Sequence, residues 1–288
     1  MNETPMALAL SGISFLMAVI WGPPLLRVLK HFKIGKIIRV EGPHSHISKM
    51  GTPTMGGVMF IAPVVLLTVL LNAASLVGFK VIGRSVLVPL GTLVIFSILG
   101  MIDDWEGVRG SRKGIGMRAR TKFFFQIIIA TVIGFALKYV LDVPEMFWPG
   151  VKFEISLGIF YIPIAIVTIV GFSNAINLTD GLDGMAGLIS ATALTAFGGI
   201  ALIQGQTYLG RFCFTLVGAI FGFLWFNVYP AQLFMGDTGS LALGATLGVV
   251  ALMTGQWLLL PIIAIIPFSE TLSLIAQVWY FKLAGGLR

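Results

Sequence analysis

With 288 residues, 57% of them apolar and only 11% charged, and a mean hydropathy of +0.97, the chain has too little charge to cover a soluble globule. It reads as an all-α polytopic membrane protein. Long unbroken apolar runs exclude the short alternating segments of a β-barrel, and the one cysteine, Cys213, excludes an intramolecular disulfide.

About 20 apolar residues cross a bilayer. On that measure nine spans are expected, at residues 6–29, 56–78, 84–102, 122–141, 157–173, 185–204, 209–229, 240–254 and 257–281. No Lys or Arg precedes Arg27, so the first run lacks the basic lead of a signal peptide and reads as a retained span. Fourteen basic residues fall on one set of loops and span ends, whereas only Lys80, Arg84, Lys138, Lys152 and Arg211 fall on the other. The net charge of +7 matters through this placement: the amino terminus is expected outside and the carboxyl terminus in the cytoplasm. No linker or soluble domain is visible, so residues 1–288 are expected to form one transmembrane domain, with no nucleic-acid partner.

In this orientation the polar clusters share the cytoplasmic face. The first inside loop carries Lys49, Gly51, Pro53, Thr54, Gly56 and Gly57. Pro53 stiffens the approach, the glycines permit close backbone contact, and Lys49 with the threonine hydroxyls can bind phosphate. It is not a Walker A loop, because the G-x4-G-K-[ST] order is absent. Asp103 and Asp104 follow the third apolar run; adjacent like charges repel, and a nearby cation relieves them. A solvated helix end is the plainer account of that pair.

Residues 174–187 place Asn174, Asn177, Asp180 and Asp183 at every third position between two apolar runs, with no Lys or Arg among them. Carboxylates beside hydrocarbon are costly and tend to serve function. In a helix Asn177, Asp180 and Asp183 would share one side; Gly181, Gly184 and Gly187 argue for a bent backbone instead. Either way the oxygens can meet a divalent cation or ligand hydroxyls and amides. In the next inside loop, with Asn227, Asp237 stands between Gly236 and Gly239, three residues from Phe234 and from Ser240. It can ligate Mg²⁺, act as a nucleophile or cap the following helix. Glu270 is the one acid deep in a span, and with Pro261 and Pro267 nearby a broken ninth helix is expected. His44 and His46 read as solvated loop residues, and the Gly and Ala recurrences of spans six to eight as helix-packing surfaces.

Taken together and in this order, residues 49–57, Asp103-Asp104, 174–187 and 227–244 resemble the polyprenyl-phosphate N-acetylhexosamine-1-phosphate transferases. The resemblance covers about residues 20–286. It implies transfer of a phospho-sugar from a UDP-sugar to undecaprenyl phosphate, with release of UMP and with Mg²⁺ as cofactor. The run Pro53-Thr54-Met55-Gly56-Gly57 favours the peptidoglycan branch, which uses UDP-N-acetylmuramoyl-pentapeptide, over the UDP-N-acetylglucosamine branch. Carried over by motif, Asp237 would hold Mg²⁺, and Asp103 and Asp104 would serve the lipid phosphate. Asn174, Asn177, Asp180, Asp183, Asn227, Phe234, Ser240 and Gln277 would shape the nucleotide and sugar pocket, with Lys49 and Thr54 on phosphate or nucleoside.

The implied setting is the bacterial inner membrane, with the active site on its cytoplasmic face. Anionic lipid headgroups are expected near the basic loops, and a homodimer is compatible with the resemblance. Gly107 stands where the family has a lysine, though Lys122 matches a later one. The family continues past Phe281-Lys282 into a His-His-His loop and a tenth span, so a truncated copy or a short form is expected, an inactive scaffold being the rival reading.

Overall fold

Each of the nine apolar stretches meets a helix in the computed structural model, which describes residues 3–35, 51–76, 83–110, 116–148 and 153–283. The helices are α1 (Glu3–His31), α2 (Val58–Leu76), α3 (Leu87–Arg109), α4 (Ala119–Phe135), α5 (Tyr161–Thr179), α6 (Met185–Ile203), α7 (Thr207–Asn227), α8 (Gly236–Met253), α9 (Leu260–Ile263) and α10 (Ile265–Leu283). Among the described residues the only extended pairings are two isolated bridges, Gly35 with Pro53 and Phe147 with Glu154. Seven helices are long and apolar enough to cross a membrane, and α9 with α10 would make an eighth. The apolar part of α2, Val58–Ala74, is shorter; it accounts for the difference from nine.

Two boundaries differ from the apolar count in a way that matters. Helix α5 runs to Thr179, past the expected end at 173, because Asn174 and Asn177 satisfy their amides on neighbouring helices and need not leave the helix for water. Helix α8 starts at Gly236 rather than 240, which puts Asp237 in its first turn. The ninth stretch is broken as expected. A short 3-10 turn and α9 meet α10 at 85°. Pro267 supplies no N–H to the carbonyl of Ile263, and its ring obstructs a continuous helix there.

Helices α7 and α8 are the most buried spans. α7 packs on α1, α2 and α6, and α8 is held between α3 and α5. Lipid offers no hydrophobic drive between spans, so close backbone packing must supply it. A Cβ at Gly218 of α7 would lie 2.0 Å from the carbonyl oxygen of Ser11, and one at Gly244 of α8 2.1 Å from that of Phe172. The small residues of these spans are therefore packing surfaces, as expected. Phe60, Phe96, Phe197, Phe212 and Phe223 fill the remaining core. Ile159, Val167, Ile203 and Trp225 face outward, as lipid-facing side chains do.

At the end where α4 meets α5, Glu145 clamps a loop. Its carboxylate accepts from Lys138 Nζ at 2.8 Å, Ser156 Oγ at 3.0 Å, the Gly158 amide at 3.0 Å and the Leu157 amide. Partial burial pushes its pKa up, but Lys138 and these donors hold it down to about 2.

Candidate active site

The opposite ends of four helices converge. The last turns of α3 bring Asp103 and Asp104, the first turn of α4 brings Lys122, the last turns of α5 bring Asn177, and the first turn of α8 brings Asp237 and Ser240. Lys122 Nζ lies 2.8 Å from Asp103 Oδ2 and 2.7 Å from Asp237 Oδ2, so one ammonium holds two carboxylates. Asn177 Nδ2 donates to Asp237 Oδ1 at 2.9 Å and to Ser240 Oγ at 2.8 Å. Asp237 is thus fixed on both oxygens while its side chain keeps 25% of its surface exposed.

The paired aspartates divide their tasks. Asp103 turns to Lys122 and accepts from the Met117 amide. Asp104 turns to α8: it accepts from the amides of Asp237 at 3.1 Å and Thr238 at 3.0 Å, and from the Thr238 hydroxyl at 2.6 Å. A carboxylate there satisfies orphan amides and sits at the positive end of the helix dipole. Asp104 is an N-cap supplied by another helix. This arrangement needs close backbones. Gly100 of α3 packs on the Asp237 carbonyl, and Gly236, at φ +71, leaves room for Asp104 and Thr54 that a side chain would take.

The neighbouring loops are stitched beneath the cluster. The Phe234 amide donates to the Pro53 carbonyl at 2.8 Å, and the Gly56 amide returns a bond to the Phe234 carbonyl at 2.8 Å. Thr54 is buried, its amide donating to Ile34. Asn227, 2% exposed, accepts from the Gly184 amide and donates to the Leu233 carbonyl, so both ends of its side chain join loops. Asp183 accepts from the Ala231 amide at 3.3 Å, and Asp180 ends α5. The 174–187 stretch is helical through its two amides and a glycine-bearing turn through its two acids, combining the two readings left open above.

Asn174 pairs its side-chain amide with that of Gln126, at 2.8 Å in one direction and 3.5 Å in the other. Gln126 is fully buried on α4, four residues from Lys122, so this pair fixes the α4–α5 register that brings Lys122 opposite Asn177. Sequence reading left Gln126 out and kept Lys122 only as a matched lysine. The signal was a Lys and a Gln four apart in an otherwise apolar run. Glu270 accepts the Thr179 hydroxyl at 2.6 Å and ties α10 to the end of α5. Gln277 lies exposed on α10 with its amide on Ser273, away from these bonds. Lys49, His44 and His46 lie outside the described residues.

Among the described residues no three His, Cys, Asp or Glu side chains form a metal cage. Asp104 is committed to α8, which leaves Asp237 and Asp103 as donors. Two hard carboxylates suit Mg²⁺, which keeps several waters and takes its other ligands from substrate phosphates.

The family model for glycosyl transferase family 4 matches residues 86–255, a stretch containing every member of the cluster. Curated relatives named phospho-N-acetylmuramoyl-pentapeptide-transferase include one from Chloroflexus aurantiacus (strain ATCC 29366 / DSM 635 / J-10-fl), 45% identical over 96% of this chain and 75% of its own length. Another, from Geobacillus thermodenitrificans (strain NG80-2), is 41% identical over 95% of this chain and 83% of its own. A third, from Listeria innocua serovar 6a, is 41% identical over 96% and 84%. With a family model over more than half its length and relatives this similar over nearly all of it, the chain belongs to glycosyl transferase family 4.

Proposed function

We propose that the chain transfers phospho-N-acetylmuramoyl-pentapeptide from its UDP-linked precursor to undecaprenyl phosphate, giving UMP and the first lipid-linked intermediate of peptidoglycan synthesis. The observation that carries this reading is the Lys122 ammonium held between Asp103 and Asp237 at the meeting point of four helices. Joining two anionic phosphates needs positioning and charge neutralisation more than covalent chemistry. A cation and two metal-capable carboxylates at one point supply both.

In the reaction an oxygen of the lipid phosphate bonds to the sugar-bearing phosphorus. The bond from that phosphorus to the bridging oxygen breaks, and its electron pair leaves on UMP. Mg²⁺, when bound to Asp237 and Asp103, would neutralise the gathering phosphate charge. Lys122, released from the carboxylates, would turn to a phosphate oxygen, and Asn177 with Ser240 would keep Asp237 aimed. Asp104 would act through α8, holding the turn that carries Asp237.

We assign Thr54 and Lys49 to the phosphate side, and Asp180, Asp183 and Phe234 to the nucleotide and sugar side; Gln277, exposed on α10, is left out of that set. Asn174 and Asn227 hold the frame. The basic-residue asymmetry supports a site on the cytoplasmic face of the bacterial inner membrane. Purified protein with undecaprenyl phosphate and Mg²⁺ is expected to release UMP from UDP-N-acetylmuramoyl-pentapeptide. Preference for UDP-N-acetylglucosamine would move the chain to the sister branch, and release from neither would favour a scaffold.

A further inference from the structure

At the ends of the helices remote from the carboxylates lies a cavity of about 450 Å³, within the roughly 300–1,000 Å³ typical of small-ligand pockets. It opens between Ser85 at the entry to α3, the turn after α4 at Asp142, the α6–α7 turn at Thr207, and Met253 at the end of α8. Helix α8 begins at Gly236, beside Asp237, and its 18 residues span about 27 Å. The cavity is therefore not an annex of the transferase site.

Its chemistry is dipolar. Arg211 of α7 lines it and is only 6% exposed, with its guanidinium carbon 5.9 Å from the centre of the Tyr208 ring. Arg211 stands near the start of α7, yet its side chain is buried rather than turned out to water, so its charge is held at the cavity wall. Its planar fork of donors matches phosphate oxygens. Asp142, which is exposed, puts a carboxylate on the wall of the same cavity. Tyr139 and Val140, just before that wall, are 67% and 76% exposed and offer an apolar surface beside it.

We propose that this cavity binds a phosphoethanolamine group, with the phosphate toward Arg211 and the primary ammonium toward Asp142. An intact phospholipid or the free headgroup could supply that chemistry, and the neighbouring apolar surface favours the lipid. Such a ligand would join the α4, α6–α7 and α8 ends.

The test uses the full chain in detergent, with binding followed by native mass spectrometry and thermal unfolding. The probes are phosphatidylethanolamine, phosphatidylglycerol and free phosphoethanolamine. Phosphatidylethanolamine is expected to bind about tenfold more tightly than phosphatidylglycerol, the effect of one charge-assisted contact. Stabilisation by free phosphoethanolamine alone would identify a soluble ligand as the source; stabilisation only by the lipid would identify the membrane. Asp142 has φ +48, a conformation asparagine tolerates, so Asp142→Asn should fold and lose the preference while still binding both lipids. Arg211→Gln should abolish binding of both. If Arg211→Gln fails to fold, Asp142→Asn decides alone. Equal binding of the two lipids by the parent, or a preference unchanged in Asp142→Asn, overturns the proposal.

Discussion

Removing the Lys122 charge is the most informative single perturbation. Its Nζ lies 2.8 Å from one carboxylate oxygen and 2.7 Å from the other. Those two oxygens are thus at most about 5.5 Å apart, and two unit charges at that separation repel by about 3 kcal/mol at an effective dielectric of roughly 20. Lys122→Met keeps an unbranched apolar stem, one atom shorter, and leaves the repulsion uncompensated. At roughly 2–4 °C per kcal/mol the variant should melt about 6–12 °C below the parent in chelator. A divalent cation between the carboxylates would replace the lost ammonium. Mg²⁺ should then recover most of the loss in the variant and move the parent much less, because in the parent Lys122 competes for the same oxygens. Differential scanning fluorimetry in detergent, at mildly alkaline pH and with and without Mg²⁺, reads this directly. Equal melting of variant and parent in chelator, or equal responses to Mg²⁺, would refute the reasoning.

Two further outcomes are expected. Asn174→Leu strands the fully buried Gln126 amide, whose side-chain bonds both go to Asn174, at a cost of about 1–3 kcal/mol, whereas the Gln126→Leu/Asn174→Leu pair should recover much of that loss, as a double-mutant cycle on thermal stability would show. Glu145 has a folded pKa of about 2 against an ordinary 4.5, so its stabilisation is complete above pH 4.5 and is lost as pH falls toward 2. Melting measured across that window should fall less steeply for Glu145→Gln than for the parent.

The sequence made the spans legible because each apolar run reports its own surroundings, and the break near Pro267 was legible for the same local reason. Asp237 could be read as a cap or a ligand from its two glycines alone. The partners could not be read. Asp104 and Thr238 are 134 residues apart, and Lys122 and Asp237 are 115 apart, so no spacing rule joins them. The neighbours Asp103 and Asp104 read as one repelling pair. Helix geometry aims adjacent side chains about 100° apart, and the fold uses that angle to send one to a lysine and the other to a helix end. Asn227 resembled a ligand residue by motif, and its burial beneath two loops depends on a turn that composition does not predict.

The contact of Gly100 with the Asp237 carbonyl has a consequence for transport. Helices that touch backbone to backbone beside the carboxylate cluster cannot rock past one another without parting, and α8 is gripped in the same way on its α5 side at Gly244. If it is the transferase site proposed above, a cluster carried on such a frame would serve one side of the bilayer only. On the proposed function, the lipid-linked sugar is finished in the leaflet where its phosphate was met. Carrying that headgroup to the other leaflet is then work for a different protein, one whose helices are free to move.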